Sequence, residues 1–315
     1  MTDMKKNKIV VVGAGNVGES VAFSLMLKEV ASEIVMIDVN AERAEGSAFD
    51  MADATAFYSA TTVRMGGYEE CADASIIVIT AGIARKPGQT RLDLAKTNVS
   101  IAKDITKNVM QYAKDPLIVV VSNPVDVLTC VVQETSGLPA NRVIGSGTTL
   151  DTARLRRLIS EKCQVAITDV EAYVLGEHGD TQVAIWSRAT IGGEDITDYF
   201  NKMNEEVDLN ELAETAKTGG ATIIKKKGAT FLGIAMCTAR ICEVLMRDEY
   251  AVLPVAHVLG EQYGELAGAA ISLPSVVNKE GIVRTIDIKL SDEEKAAIIH
   301  SAKTLREFKN DVVGE

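Results

Sequence analysis

Along the first half of the chain, short unbroken apolar runs alternate with longer stretches whose apolar residues recur every three or four positions. The runs fall at residues 9–12, 33–37, 63–65, 76–80, 117–121 and 142–144, and the amphipathic stretches at 19–30, 42–58, 89–114 and 125–136. An unbroken run of four or five β-branched residues suits a strand covered on both faces, and a three-to-four repeat suits a helix with one buried side. Strands and helices alternating from residue 8 to about 145 predict a parallel, doubly wound sheet.

The second half has a different texture. A helix is expected from Asp151, strands near 171–175 and 182–187, a turn at Gly192-Gly193, and helices near 209–227 and 229–247. Residues 252–258 and 269–274, with the alternating Ile286, Ile288 and Leu290, read as an antiparallel sheet. Ser291 with Glu294 three residues on is a capping box, opening a last helix to about residue 309. The fold class is therefore α/β: an N-terminal Rossmann sheet over residues 1–146 and a C-terminal α+β substrate domain with antiparallel strands over 147–315. A cleft between two such halves is the expected ligand site.

Composition narrows the function classes. Hydrophobic residues make up 47% of the 315 positions, charged residues 24%, and the net charge is −11. So acidic a chain is a poor partner for nucleic acid or anionic membranes, which call for basic patches. No apolar run approaches the roughly 18 residues of a membrane span or the apolar part of a signal peptide. Five scattered cysteines without a CxxC pair, and three histidines apart from them, give no metal-ligand set. A cytoplasmic protein with no metal is expected.

Candidate chemistry begins at Gly13-x-Gly15-x-x-Gly18, between the first strand and first helix. In that context the glycines permit a tight turn, close approach of a pyrophosphate and close strand–helix packing. Gly13, Ala14, Gly15, Asn16, Val17 and Gly18 are thus expected to cradle NAD at a helix N-terminus. Asp38, at the end of the second strand, is placed to accept ribose hydroxyls and to repel a 2′-phosphate, favouring NAD over NADP. A loop at 81–98 carries Pro87-Gly88 and two arginines six apart, Arg85 and Arg91, suited to gripping carboxylates as a flap closes. Asp151 and Arg154 share one helical turn, Asn123 ends a sheet strand, and His178 sits between Gly176-Glu177 and Gly179. Taken singly, such arginines are more often solvated and such a histidine more often structural.

Five ordered motifs, GAGNVG, the Arg–Arg loop, SNPVDVLT, LDTARLR and GEHGDTQVAIWS, resemble the lactate/malate dehydrogenase family over nearly the whole chain. The resemblance implies that His178 is the acid–base group, that Asp151 holds its imidazole, and that Arg154 grips the substrate's C1 carboxylate. It further implies that Arg91 polarises the C2 carbonyl, that Asn123 contacts substrate and nicotinamide, and that Asn98 and Val121 lie by the cofactor. Thr230 would narrow the pocket near the substrate side chain. The family forms dimers and tetramers, and the lactate-like frame favours a homotetramer.

Substrate identity turns on Arg85 in this reading. Similar lactate dehydrogenases typically carry glutamine six residues before the catalytic loop arginine; similar malate dehydrogenases carry arginine there, paired with a second carboxylate. Leaving such a charge buried and unmatched costs roughly 3–5 kcal/mol, so a dicarboxylate substrate and malate dehydrogenase activity are expected. The frame points to the alternative, lactate dehydrogenase, because residues 145–148, Trp186 and Thr230 resemble that branch. A non-enzymatic NAD-binding module is the rival of another class. Similar bacterial lactate dehydrogenases bind fructose 1,6-bisphosphate with an arginine and a histidine; here those positions are Arg156 and Glu171, so activation is expected to be absent.

Overall fold

The computed structural model describes residues 7–58, 60–83, 90–203 and 207–314. The nucleotide half runs β1 (Lys8–Val12), α1 (Asn16–Leu27), β2 (Glu33–Ile37), α2 (Ala41–Tyr58), β3 (Thr62–Met65), β4 (Ile76–Ile79), α3 (Arg91–Tyr112), β5 (Leu117–Val120), α4 (Val125–Ser136) and β6 (Val143–Gly145). Every strand pair within it is parallel. Ile9 and Val11 pack into the core on one side of the sheet and Val10 and Val12 into the core on the other. Burial on both faces is why these strands read as unbroken apolar runs.

The second half follows as α5 (Thr149–Cys163), β7 (Val170–Leu175), β8 (Val183–Ile191), β9 (Glu194–Asp195), α6 (Ile196–Met203), α7 (Leu209–Lys227), α8 (Leu232–Arg247), β10 (Ala251–Val258), β11 (Ala270–Asn278), β12 (Gly281–Thr285) and α9 (Asp292–Val313). The capping box at Ser291 and Glu294 is formed as expected. Strands β7, β8 and β9 make a separate antiparallel sheet, with the Gly192-Gly193 turn joining the last two.

Two features differ from the sequence reading. The antiparallel strands do not form a sheet of their own: β10 pairs with β6 at Ala256 and Gly145, giving one nine-stranded sheet ordered β12-β11-β10-β6-β5-β4-β1-β2-β3. The third antiparallel strand is Gly281–Thr285, joined to β11 by a hairpin at Lys279-Glu280, and residues 286–290 run on without strand pairing. Ile288 and Leu290 alternate because they pack against a core of Leu175, Leu273 and Ile298 on one side. One-sided burial produces the same period as a strand.

The strand order reverses at β1, which lies between β2 and β4. A crevice opens outside the carboxyl ends of the strands at such a point. The Gly13 turn, Thr80-Ala81 after β4 and Val121-Ser122-Asn123 after β5 all lie on that edge.

Candidate active site

At the crevice, each glycine of the turn has a separate task. Gly13 has φ +110°, and a Cβ there would lie 2.7 Å from the Ala81 nitrogen. A Cβ on Gly18 would meet the Gly13 carbonyl oxygen at 1.8 Å, so α1 can pack this close to β1 only with glycine. Gly15 faces open space, with nothing within 4 Å of its Cβ position. Helix α1 begins at Asn16, inside the motif rather than at residue 19, and Gly15 as its N-cap supplies no side-chain capping bond. Its first-turn N–H groups are therefore available to an anion. Asp38 is fixed by backbone donors: its Oδ2 accepts the Ala14 N–H at 2.6 Å and its Oδ1 the Asn40 N–H at 2.8 Å. A cradle open at Gly15 and bounded by a carboxylate fits a dinucleotide with a free ribose diol.

Across the crevice, α5 presents Asp151 in its first turn and Arg154 one turn later. His178 lies on the connection from β7 to β8, reached through Gly176 at φ +87°, whose N–H and C=O pair with Ser272. The His178 Nδ1 is 2.5 Å from Asp151 Oδ2, and Arg154 Nη1 donates to Asp151 Oδ1 at 2.9 Å. Burial opposes charge on the imidazole, but the Asp151 carboxylate outweighs it and the His178 pKa is raised. For Asp151, 1% exposed, burial likewise opposes the charged form, yet His178 and Arg154 hold the carboxyl below its usual range. The pair is built to carry a proton on the ring while the carboxylate stays ionised.

A cavity of about 340 Å³ joins the two walls, lined by Val17, Val121 and Asn123 from the nucleotide half and Asp151, Arg154, His178 and Thr230 from the other. Seven residues expected at the site from sequence are thus brought together. Gly219 and Gly220 of α7 lie against Arg154, where a Cβ would sit 3.3 and 3.4 Å from its side chain. Arg91 stands apart, at a neighbouring cavity of about 250 Å³ that shares Asn123 and His178, with its guanidinium ion-paired to Asp180. Asn98 is buried and spent on backbone: its Oδ1 accepts the Ile83 N–H at 2.9 Å, and its Nδ2 donates to the Asn123 carbonyl at 2.7 Å. It braces the loop ends rather than facing the cavity. Arg85 lies outside the described residues.

Asp126 was not among the expected residues. It is buried in the first turn of α4, and its Oδ2 accepts the His178 backbone N–H at 2.7 Å. The only signal was the aspartate of SNPVDVLT, and acids are ordinary at helix starts.

Oxidising a 2-hydroxy acid calls for a dinucleotide site and a proton carrier facing one another, as they do here; the chain is an NAD-dependent 2-hydroxy acid dehydrogenase. Comparison with known proteins gives the family. Residues 7–145 match the lactate/malate dehydrogenase NAD binding domain, and residues 148–315 match the lactate/malate dehydrogenase alpha/beta C-terminal domain. The chain belongs to the lactate/malate dehydrogenase family. It is 43% identical to an L-lactate dehydrogenase 2 of Bacillus cereus over 96% of this chain and 98% of that one. Identity to an L-lactate dehydrogenase of Bacillus pumilus is 43%, over 98% of each. Among solved structures, the minor L-lactate dehydrogenase of Enterococcus mundtii with ligands bound matches at TM-score 0.94 and 45% identity, covering 98% of this chain and 99% of that one.

These relatives overturn the malate dehydrogenase expectation and its dicarboxylate substrate. That expectation rested on one residue, Arg85, set against a frame that pointed to lactate. Likeness across both domains to lactate dehydrogenases outweighs it. The described cavity carries Thr230 of that frame beside Arg154.

Proposed function

We propose that the protein is an NAD-dependent L-lactate dehydrogenase, interconverting pyruvate and L-lactate. The observation that carries this reading is the likeness over the full chain, at 43–45% identity, to proteins named L-lactate dehydrogenase. Thr230 and the partly buried Arg154 on the cavity wall suit a substrate with a carboxylate at one end and a small group at the other.

In pyruvate reduction, Arg154 takes the carboxylate on the guanidinium edge not used by Asp151, fixing C2 beside His178. His178, kept protonated by Asp151, gives its proton to the C2 oxygen as that oxygen gains charge. Asp151 holds the ring through Nδ1, leaving Nε2 for the substrate. Arg91, released from Asp180, stabilises the developing alkoxide, and Asn123 contributes a hydrogen bond. NADH, when bound, supplies hydride to C2. Residues 13–18, Asp38, Val17 and Val121 form its seat, with Asn98 bracing the loop beside it.

Assembly into a homotetramer and residence in the cytoplasm belong to the same reading. Apolar side chains exposed on α2 and α8, Phe49, Phe57, Leu232 and Met236, support assembly, and five scattered cysteines without a CxxC pair suit a reducing compartment. Among the described residues no helix is long and apolar enough to cross a membrane. Light scattering of the purified protein checks the subunit number.

Steady-state reduction of pyruvate and of oxaloacetate with NADH tests the substrate. Pyruvate is expected to have the higher kcat/KM, and Arg85→Gln is expected to preserve that order. A higher kcat/KM for oxaloacetate overturns the reading.

A further inference from the structure

His178 is served by two carboxyl groups, and the mechanism above uses only one. Asp151 takes the ring; Asp126 takes the backbone, its Oδ2 accepting the His178 N–H at 2.7 Å. Asp126 is 3% exposed, and its Oδ1 is buried without a hydrogen-bond partner. Leaving a buried acceptor unmade is costly, and such groups in native proteins call for an explanation. An asparagine would hold the same N–H without burying an acid. The carboxyl also lines the cavity of about 250 Å³ behind the histidine, together with Arg91, Asn123 and Glu177.

We propose that Asp126 is a positioning residue for His178, pinning its backbone and supplying a second negative charge that favours the imidazolium during turnover. The inference rests on the reading of His178 as the proton carrier.

Charges around Asp126 come from several elements. Arg91 stands on α3, Glu177 and His178 on the β7–β8 connection, and Asp151 on α5. Arg306 and Lys309 of α9 and Cys130 of its own helix line a small cavity on its far side. Burial pushes the Asp126 carboxyl up to about 7, while the charge on His178 and its N–H bond pull the other way. The acid therefore changes charge near neutral pH, and the two groups titrate as a linked pair: a proton on His178 favours ionised Asp126, and the reverse holds equally. Asp151, held below its usual range, cannot supply this response.

The test is Asp126→Asn, which keeps an oxygen for the His178 N–H and removes the charge. The chain has three histidines, so NMR titration of histidine-labelled protein, assigned with His178→Gln, reads the His178 pKa directly. The expected result is a fall of about one unit. The alkaline limb of kcat/KM for pyruvate, which requires the protonated ring, should move down by the same amount, with NADH affinity unchanged. An unmoved His178 pKa in Asp126→Asn overturns the proposal, even if kcat falls. Asp126→Ser provides the same reading should the asparagine variant fail to fold. Absence of pyruvate turnover in the wild type would sink the lactate reading, while the titration would still decide the role of Asp126.

Discussion

Arg91 is ion-paired to Asp180 across the mouth of the cleft, two residues beyond the histidine it is expected to assist. Asp180 lines the main cavity, whereas Arg91 lines the neighbouring one, so the guanidinium is held aside from the reacting position. Both side chains are open to solvent, at 62% and 75% exposure, and an exposed pair is worth at most about 1 kcal/mol. Such a latch yields readily to a substrate carbonyl. Asp180→Asn should therefore lower the KM for pyruvate by no more than about fivefold and leave kcat close to wild type. Arg91→Gln should lower kcat by a factor of about a hundred or more, because the group acts on charge that develops in the transition state. Steady-state kinetics of the two variants checks both; equal losses of kcat would mean that the pair itself is needed for turnover.

The three glycines of the cradle should separate folding from cofactor binding. At Gly18 an added Cβ would collide with the Gly13 carbonyl, so Gly18→Ala should force α1 away from β1 and lower the thermal midpoint by several degrees. At Gly15 the Cβ would meet nothing, so Gly15→Ala should fold normally and lose NADH affinity, tenfold or more, because the methyl occupies the open face of the cradle. Fluorescence titration with NADH and a melting curve for each variant make the comparison. Tight NADH binding by Gly15→Ala would place the pyrophosphate elsewhere.

The glycine turn was legible because its residue types are dictated by contacts within one strand–turn–helix unit. The His178, Asp151 and Arg154 cluster was legible only through its motifs; no spacing along the chain brings α5 and the β7–β8 connection to 2.5 Å. The joined sheet was not legible, since the single β6–β10 pairing links residues 145 and 256. Residues 286–290 misled because apolar alternation reports one-sided burial, whether or not a partner strand is present. Asp126 escaped because its significance lies in a backbone N–H fifty-two positions away. Substrate choice was misjudged by giving one loop arginine more weight than the rest of the frame.

Fructose 1,6-bisphosphate should leave the enzyme unaffected. Arg156 is already engaged: its Nε donates to the Ala172 carbonyl at 2.9 Å, and its guanidinium stacks 5.3 Å from the Tyr173 ring centre. Glu171, exposed at the start of β7, adds a carboxylate that repels a phosphate. The KM for pyruvate should be the same with and without the bisphosphate at millimolar concentration. A saturable fall in KM would refute this.

His257 should make the fold sensitive to mild acid. It lies near the C-terminal end of β10, 6% exposed, paired in register with Ile271 and packed edge-on to Tyr263, and its Nδ1 has no hydrogen-bond partner. Burial lowers its pKa from 6.5 to about 4. The native ring stays neutral through that window while the unfolded chain takes up a proton, so the contribution is intact above pH 6.5 and declines as the pH falls towards 4. At most roughly 3 kcal/mol is lost in this way. Asp126 acts with the opposite sign over much of the same range: raised to about 7, it binds a proton in the native state before the unfolded chain does, and it adds stability as the pH falls from 7 towards 3.8. The wild-type curve alone therefore does not isolate either group. The difference between wild type and His257→Gln isolates the histidine. Urea unfolding at pH 7 and pH 5 should show the stability of the variant shifting upward relative to the wild type on acidification; an identical change in both would mean that His257 is already charged in the native protein or remains neutral in the unfolded one.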